Sequence, residues 1–293
     1  MRISLKSLFI VICACGFSMA QTLTPGKPTD NLGWTAHFTL EGSAYSPGLV
    51  MDLDSNVGYN FSKHFGMDMG VPFYFISSPT STTNGNSSGS TSNNGMGNAY
   101  VNLRWNYPHD LLGYHTNLAG FAPTGDPKKG LGTGHATFDW NNRIDHEFER
   151  ITPFLGAGFA NTIANSRFFK RPFTSYGYNA HFEAGTDIDV WKFLSAGASV
   201  YDIEPMGDQT LYSRFHGNGV AAQHNRFYQS ANVTTGTASI AKDNGYSVWV
   251  DANPNSYLDL SFGYSRSVHY ALNSISFGVG VDVGHLLKNS NGK

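Results

Sequence analysis

Apolar and polar residues alternate strictly over about ten positions at several places in the chain, and this pattern limits the possible folds most. One example is 34–41, where Trp34, Ala36, Phe38 and Leu40 take every second position, and another is 275–283. Such alternation indicates a β-strand with one apolar and one polar face. A length of about ten residues is typical of strands that cross a bilayer, whereas soluble strands are usually about five or six residues long.

The alternating segments predict an all-β fold, a transmembrane antiparallel up-and-down β-barrel of about twelve strands. Closure is expected because open sheet edges leave backbone groups unsatisfied in lipid. No run of about 18 apolar residues follows Ala20, so no membrane-spanning helix is expected. The predicted strands are 32–45, 49–60, 66–77, 97–107, 114–122, 135–146, 151–161, 177–190, 194–204, 244–252, 256–265 and 271–284.

The connections between these segments alternate in length. Those after even-numbered strands are short, whereas 78–96, 123–134, 162–176 and 205–243 are long connections after odd-numbered strands. Short periplasmic turns and long extracellular loops are typical of outer-membrane barrels. Aromatic residues also gather near the short turns, as expected for an interfacial girdle. The aromatic residues are Phe61, Phe65, Trp105, Tyr107, Phe148, Trp191, Phe193 and Tyr257.

The first twenty residues have the pattern of a secretory signal peptide. Arg2 and Lys6 precede an apolar run, and Ser18 to Ala20 provides small residues for cleavage after Ala20. An uncleaved anchor and a lipoprotein modified at Cys15 are the alternatives. The predicted order is a signal peptide 1–20, an N-terminal segment 21–31, the barrel 32–287 and a polar tail 288–293, with the assembly signal inside the last strand region. Outer-membrane lipid and the assembly machinery of a Gram-negative cell are the expected partners.

Composition narrows the possible chemistry. Charged residues make up 14% of the chain, against about a quarter in soluble domains. The net charge is -2, so no nucleic-acid partner is expected. Both cysteines lie within 1–20, so a mature chain would have neither a disulfide nor a thiolate metal site.

The polar positions of the predicted strands form an acidic interior wall. Charged side chains are expected there because a charge that faces lipid costs several kcal/mol. Two arginines, Arg104 and Arg143, also fall on the inner face. Either the wall lines a cation-tolerant conduit in which these arginines shape a constriction, or they pair with neighbouring carboxylates in a packed interior. The predicted pore-lining residues are Glu41, Asp52, Asp54, Asp68, Arg104, Asp139, Arg143, Glu183, Asp187, Asp251, Asp259 and Asp282, and the acidic wall also includes Asp145 and Asp189.

The connection 205–243 is too long for a simple loop. It either folds inward and narrows or caps the mouth, or extends outside as an external loop.

No catalytic or cofactor motif stands out. The chain lacks Gly-x-Ser-x-Gly and His-Glu-x-x-His, and the histidines of a mature chain are scattered. We therefore predict no catalytic site, no metal site and no cofactor, although a Ser–His pair assembled by the fold stays open.

The segment 121–134, with its Pro-Thr-Gly-Asp turn and Gly-Leu-Gly-Thr-Gly run, is followed by Phe138-Asp139-Trp140. This sequence resembles the outer-membrane proteins associated with the meta-pathway of phenol degradation, a family of transporter-like barrels. The resemblance implies uptake or export of small solutes, including hydrophobic or aromatic compounds. The expected function is an outer-membrane channel or transporter with an acidic polar lumen. The alternatives are a lipid or peptide hydrolase in a barrel, or a structural or adhesion barrel without conductance.

Overall fold

A computed structural model of the protein describes residues 32–78, 82–83, 86–87, 92–109, 112–215 and 224–284. The predicted signal peptide 1–20, the segment 21–31, the barrel end 285–287 and the tail 288–293 lie outside the described residues. None of the helices in the described ranges reaches the length and hydropathy that a membrane crossing needs.

Twelve long strands form the main sheet, at the positions that the alternation predicts. Their length of 8 to 13 residues suits a tilted crossing of a bilayer. They are β1 (Gly33–Tyr45), β2 (Gly48–Asn60), β3 (Phe65–Ser77), β4 (Tyr100–Tyr107), β5 (Gly113–Phe121), β6 (Thr137–Asp145), β7 (Ile151–Ala160), β8 (Asn179–Trp191), β9 (Leu194–Pro205), β10 (Asp243–Asn255), β11 (Leu258–Ser267) and β12 (Leu272–Asp282).

The sheet closes into an antiparallel barrel. Each strand pairs with the next along the chain, and β12 pairs with β1 from His37↔Asp282 to Ala44↔Ile275. The connections after β2, β4, β6, β8 and β10 are short, and most of those after odd strands are long. The predicted twelve-stranded up-and-down barrel is confirmed, and we call its two ends the short-turn end and the long-loop end.

β4 begins three residues later than predicted, the largest difference among the strand starts. The segment 97–99 does not extend β4, because three residues stand there opposite two on β3, between the pairs Gly70↔Tyr100 and Phe73↔Met96. Pro72 faces this bulge and has no N–H for the ladder. The short strand Ser92–Met96 resumes the pairing with β3 toward the long-loop end.

The strands divide the barrel into an apolar outer face and a polar inner face. On β3, Met69, Phe73 and Phe75 are 37–48% exposed, whereas Asp68 and Tyr74 are buried. Because soluble monomers rarely expose so continuous an apolar surface, this outer face is suited to lipid. Trp34, Phe61, Trp105 and Trp191 are among the exposed aromatic residues near the short-turn end.

A small sheet covers the long-loop end. Its strands, Phe173–Tyr176, Gln209–Ser213 and Val233–Gly236, pair in that order, and we call it the cap sheet. Leu211 of its middle strand is fully buried, and so is Tyr228 from the same connection. Of the two alternatives for 205–243, the described parts support a cap that packs on the mouth.

A different loop enters the lumen. Residues 161–172, between β7 and the first strand of the cap sheet, contact interior side chains of β1, β2, β10 and β11, and we call them the inserted loop. The sequence analysis considered only 205–243 for this role, and the structure corrects that expectation.

Candidate functional site: the barrel interior

The inserted loop reaches into the lumen as a tight turn. The backbone N–H groups of Ser166 and Phe169 donate to each other's carbonyl oxygens, so Arg167 and Phe168 form the tip. The Phe168 ring stacks on Trp249 of β10, with centroids 4.8 Å apart. Ser265 Oγ of β11 donates to the Phe168 carbonyl at 2.8 Å. The tip is thus held by ring contact and hydrogen bonding against one side of the barrel.

Arg167 binds two of the predicted pore-lining carboxylates. Its Nη2 lies 3.0 Å from an oxygen of Asp251 and 3.0 Å from an oxygen of Asp259. Nη1 donates to the second Asp251 oxygen at 3.2 Å. A guanidinium fits such paired carboxylates because its donors form a planar fork. Arg167 therefore neutralises part of the acidic wall that the sequence predicts.

Lys170 makes the corresponding contact with β1 and β2, which are separated from β11 only by β12. Its ammonium donates to Glu41 on β1 and lies 3.4 Å from Asp52 on β2. The Lys170 backbone N–H donates to Ser43 Oγ at 2.8 Å, and Tyr45 donates its hydroxyl to the Lys170 carbonyl at 3.0 Å. Lys170 is buried, and so are both carboxylates.

The ammonium of Lys170 in the inserted loop stays charged at neutral pH. Burial lowers its pKa, but the Asp52 and Glu41 carboxylates raise the pKa by more than burial lowers it. The net pKa lies above the ordinary lysine value. The ion pair therefore persists across the physiological pH range.

Arg171 pairs with Asp243, a carboxylate at the start of β10 that the sequence analysis did not single out. Arg171 Nη1 lies 2.6 Å from Asp243, which also accepts from the Tyr201 hydroxyl at 3.1 Å. Ser267 Oγ donates to the other Asp243 oxygen at 2.5 Å. These bonds join the inserted loop to β9, β10 and β11 beneath the cap sheet.

Arg214 joins the cap sheet, the inserted loop and residues 130–134, the Gly-Leu-Gly-Thr-Gly run that we call the glycine-rich segment. It donates to the carbonyls of Arg171 at 2.8 Å and Gly130 at 3.2 Å. Its guanidinium also lies over the ring of Tyr74 on β3, 4.4 Å from the centroid. Thr174 donates to the same Gly130 carbonyl. The glycine-rich segment therefore contacts the cap through its backbone.

The two predicted interior arginines both pair with carboxylates. Arg104 binds Asp68 on β3 through two nitrogens and donates to Asn60 at 3.0 Å. Arg143 lies 3.3 Å from Asp187 and 3.4 Å from Asp145. This pairing agrees with the packed-interior interpretation.

Other predicted pore-lining residues have different surroundings. Asp139 is 2.9 Å from His181, and Asp282 is 3.9 Å from His37. Asp54 accepts from the Tyr100 hydroxyl at 2.6 Å. Glu183 is half-buried on β8, and so is Asp189 of the predicted acidic wall. Within the described ranges, no three His, Cys, Asp or Glu side chains are placed to hold a metal ion.

A cavity of about 100 Å³ remains between the inserted loop and the wall. Its charged lining is balanced: the three carboxylates of Glu41, Asp52 and Asp54 face the three cations of Arg167, Lys170 and Arg214. Aromatic rings line the same space, and they belong to Tyr74, Tyr100, Phe121 and Phe173.

The sequence analysis missed the three cations of the inserted loop. Arg167, Lys170 and Arg171 fall within five positions, in a chain with only 19 Lys and Arg residues. A basic cluster in a loop, set against strands whose inner faces are acidic, was the available signal. It was overlooked because no periodicity assigns a loop residue to a face.

No family model and no curated protein sequence matches the chain, so membership of the phenol meta-pathway family stays a prediction. The solved structures include similar barrels. An outer-membrane channel from Pseudomonas putida F1 is 10% identical, with a TM-score of 0.56 over 89% of this chain and 100% of that one. The KdgM porin, 10% identical, has a TM-score of 0.49 over 84% of this chain and 98% of its own. The likeness to the Pseudomonas protein concerns the fold, which is that of an outer-membrane β-barrel.

Proposed function

We propose that the protein is an integral outer-membrane channel for small solutes, narrowed by its inserted loop. The observation that carries the proposal is the polar, charge-lined interior, in which a cavity remains beside the inserted loop. This interior lies within a closed barrel whose outer face is apolar. Short turns would face the periplasm and the cap sheet the exterior.

The location has a direct test. Membrane fractionation should recover the protein in the outer membrane, and an unboiled sample should migrate differently from a boiled one on a denaturing gel, because a closed barrel resists detergent. Recovery as a soluble periplasmic protein, or migration that heating does not change, would exclude an integral barrel.

Conductance tests the channel itself. In planar bilayers, the unmodified barrel should show small single-channel steps, since the inserted loop occupies much of the lumen. Arg167→Gln with Lys170→Gln removes the loop's contacts to four carboxylates and should raise the conductance. Lys128→Gln with Lys129→Gln makes the same change of charge in the loop between β5 and β6 and should leave conductance unaltered.

A filled structural barrel is the second candidate. It is favoured by the ion pairs that join the inserted loop to β1, β10 and β11, and by the cap sheet over the mouth. Silence of both the unmodified protein and the Arg167→Gln, Lys170→Gln variant would support the filled barrel and contradict the channel.

The solute class follows from the cavity lining. Rings of Tyr74, Tyr100 and Phe121 beside balanced charges favour small amphiphilic solutes over large polyanions. Hydrophobic or aromatic compounds, which the resemblance implies, belong to this proposal. Liposome-swelling rates should be higher for a single-ring phenol or aromatic acid than for a trisaccharide, and equal rates would argue against a selective lumen.

A further inference from the structure

Arg266 occupies an unusual place for a charged side chain, on the outer face of the barrel. It shares that face of β11 with Leu260 and Phe262, which are 38% and 61% exposed, whereas Ser265 and Ser267 on the inner face are fully buried. It lies one residue from the long-loop end of the strand. In the membrane orientation proposed above, a guanidinium at the long-loop edge of this apolar surface would lie at the height of lipid headgroups.

The neighbours of Arg266 are polar and aromatic but carry no negative charge. Arg266 Nη1 donates to Asn273 Oδ1 on β12 at 2.8 Å, and the Tyr264 hydroxyl donates to the same oxygen at 2.9 Å. Tyr246 stands opposite Arg266 on β10 and is 39% exposed. Tyrosines at this level are typical of a membrane interface.

A second guanidinium lies on the same hairpin. Arg226, from the connection after β9, donates to the carbonyls of Tyr270 and Ala271 in the turn between β11 and β12. Left-handed residues His224 and Asn225, with φ of 51° and 60°, turn the chain immediately before it. Among the described residues, neither Arg226 nor Arg266 forms a salt bridge with a carboxylate.

Two guanidiniums on one hairpin, both without a carboxylate partner among the described residues, have the chemistry of an anion site, and Arg266 lies on the apolar outer face. Phosphate is the group that arginine recognises best at such a place, because its oxygens accept paired, charge-assisted hydrogen bonds. We propose that Arg226 and Arg266 bind the phosphate of a phosphorylated lipid headgroup in the outer leaflet. The proposal rests on the location and orientation given under the proposed function.

Binding of lipid A to the purified, folded barrel tests the site by native mass spectrometry. The unmodified protein should prefer lipid A over its dephosphorylated form by about tenfold. Arg266→Gln should remove most of this preference, and Arg226→Gln with Arg266→Gln all of it. The matched control, Lys63→Gln with Lys192→Gln, removes two exposed cations at the short-turn end and should keep the preference.

Several outcomes would overturn the proposal. Equal binding of the dephosphorylated lipid would show that phosphate is not recognised, and so would an unchanged preference in the double arginine variant. Inorganic phosphate that binds as tightly as lipid A would exclude a lipid site. Heat-dependent gel migration checks that each variant is folded. A silent barrel that still prefers lipid A would refute the channel and support this site, whereas a conducting barrel without the preference would refute only the site.

Discussion

Gly130 lies where the glycine-rich segment meets the cap sheet. Its φ is +67°, and a Cβ there would lie 2.3 Å from the Ser213 carbonyl oxygen. Gly207 has the same φ of +67°, but a Cβ there would meet no atom within 4 Å. Alanine pays a left-handed strain of about 1–2 kcal/mol at either position. Gly130→Ala should therefore lower the free energy of unfolding by about 1–3 kcal/mol more than Gly207→Ala, because only Gly130→Ala overpacks the contact.

Urea unfolding of the two variants in detergent micelles, followed by tryptophan fluorescence, measures this difference. The comparison is matched because both substitutions add one methyl group at the same backbone conformation. Equal losses would contradict the close contact between Gly130 and Ser213.

Single side chains also show how far sequence reasoning reaches. Parity within an alternating strand is enough to assign Arg104 to the inner face. Parity does not identify the partner of Arg104, because Asp68 is 36 positions away and its proximity depends on the register between β3 and β4. Register follows from the whole ladder and from bulges such as the one at 97–99, opposite Pro72, which alternation alone does not reveal.

The inserted loop depends on Lys170 for its contact with β1 and β2. Lys170→Met would leave the buried carboxylates of Glu41 and Asp52 without their cation, and breaking a buried pair in this way costs about 3–5 kcal/mol. The barrel ladder does not use this contact, so the loop should detach while the barrel stays folded. Hydrogen exchange of the 166–171 amides should become faster, and exchange in the strands should not change.

Restoring neutrality provides the control for that change. Glu41→Gln and Asp52→Asn, combined with Lys170→Met, remove the uncompensated charges, so exchange in 166–171 should slow again toward that of the unmodified protein. An exchange rate that Lys170→Met leaves unchanged would show that this ion pair does not hold the loop.

Strands and loops differ in what their sequences reveal. The period of two predicts all twelve barrel strands, because lipid on one face and a polar lumen on the other impose it along each strand. The inserted loop has no such period. Its position depends on contacts such as Lys170 with Glu41, which are 129 positions apart, and no local pattern encodes a pairing of that range.

The charge of the whole interior is less negative than the strands alone predict. The inserted loop adds Arg167, Lys170 and Arg171, and the cap adds Arg214. Replacing Asp52 with asparagine would remove one of the two carboxylates that pair with the buried ammonium of Lys170, and only Glu41 would remain. The best carboxylates for testing selectivity are therefore those that are only half-buried at the short-turn end.

Asp189 and Asp282 meet that description, since both are half-buried near the short-turn ends of β8 and β12. We expect the open channel to prefer cations weakly, and more strongly as salt falls from about 1 M to about 0.1 M, where the screening length grows from about 3 to about 10 Å. Asp189→Asn with Asp282→Asn should shift the reversal potential toward zero. The control, Asp202→Asn with Asp208→Asn, removes the same charge from the outer face of β9 and from the exposed connection that follows it. This control should leave the reversal potential unchanged. Anion preference in the unmodified channel would contradict a net negative lumen.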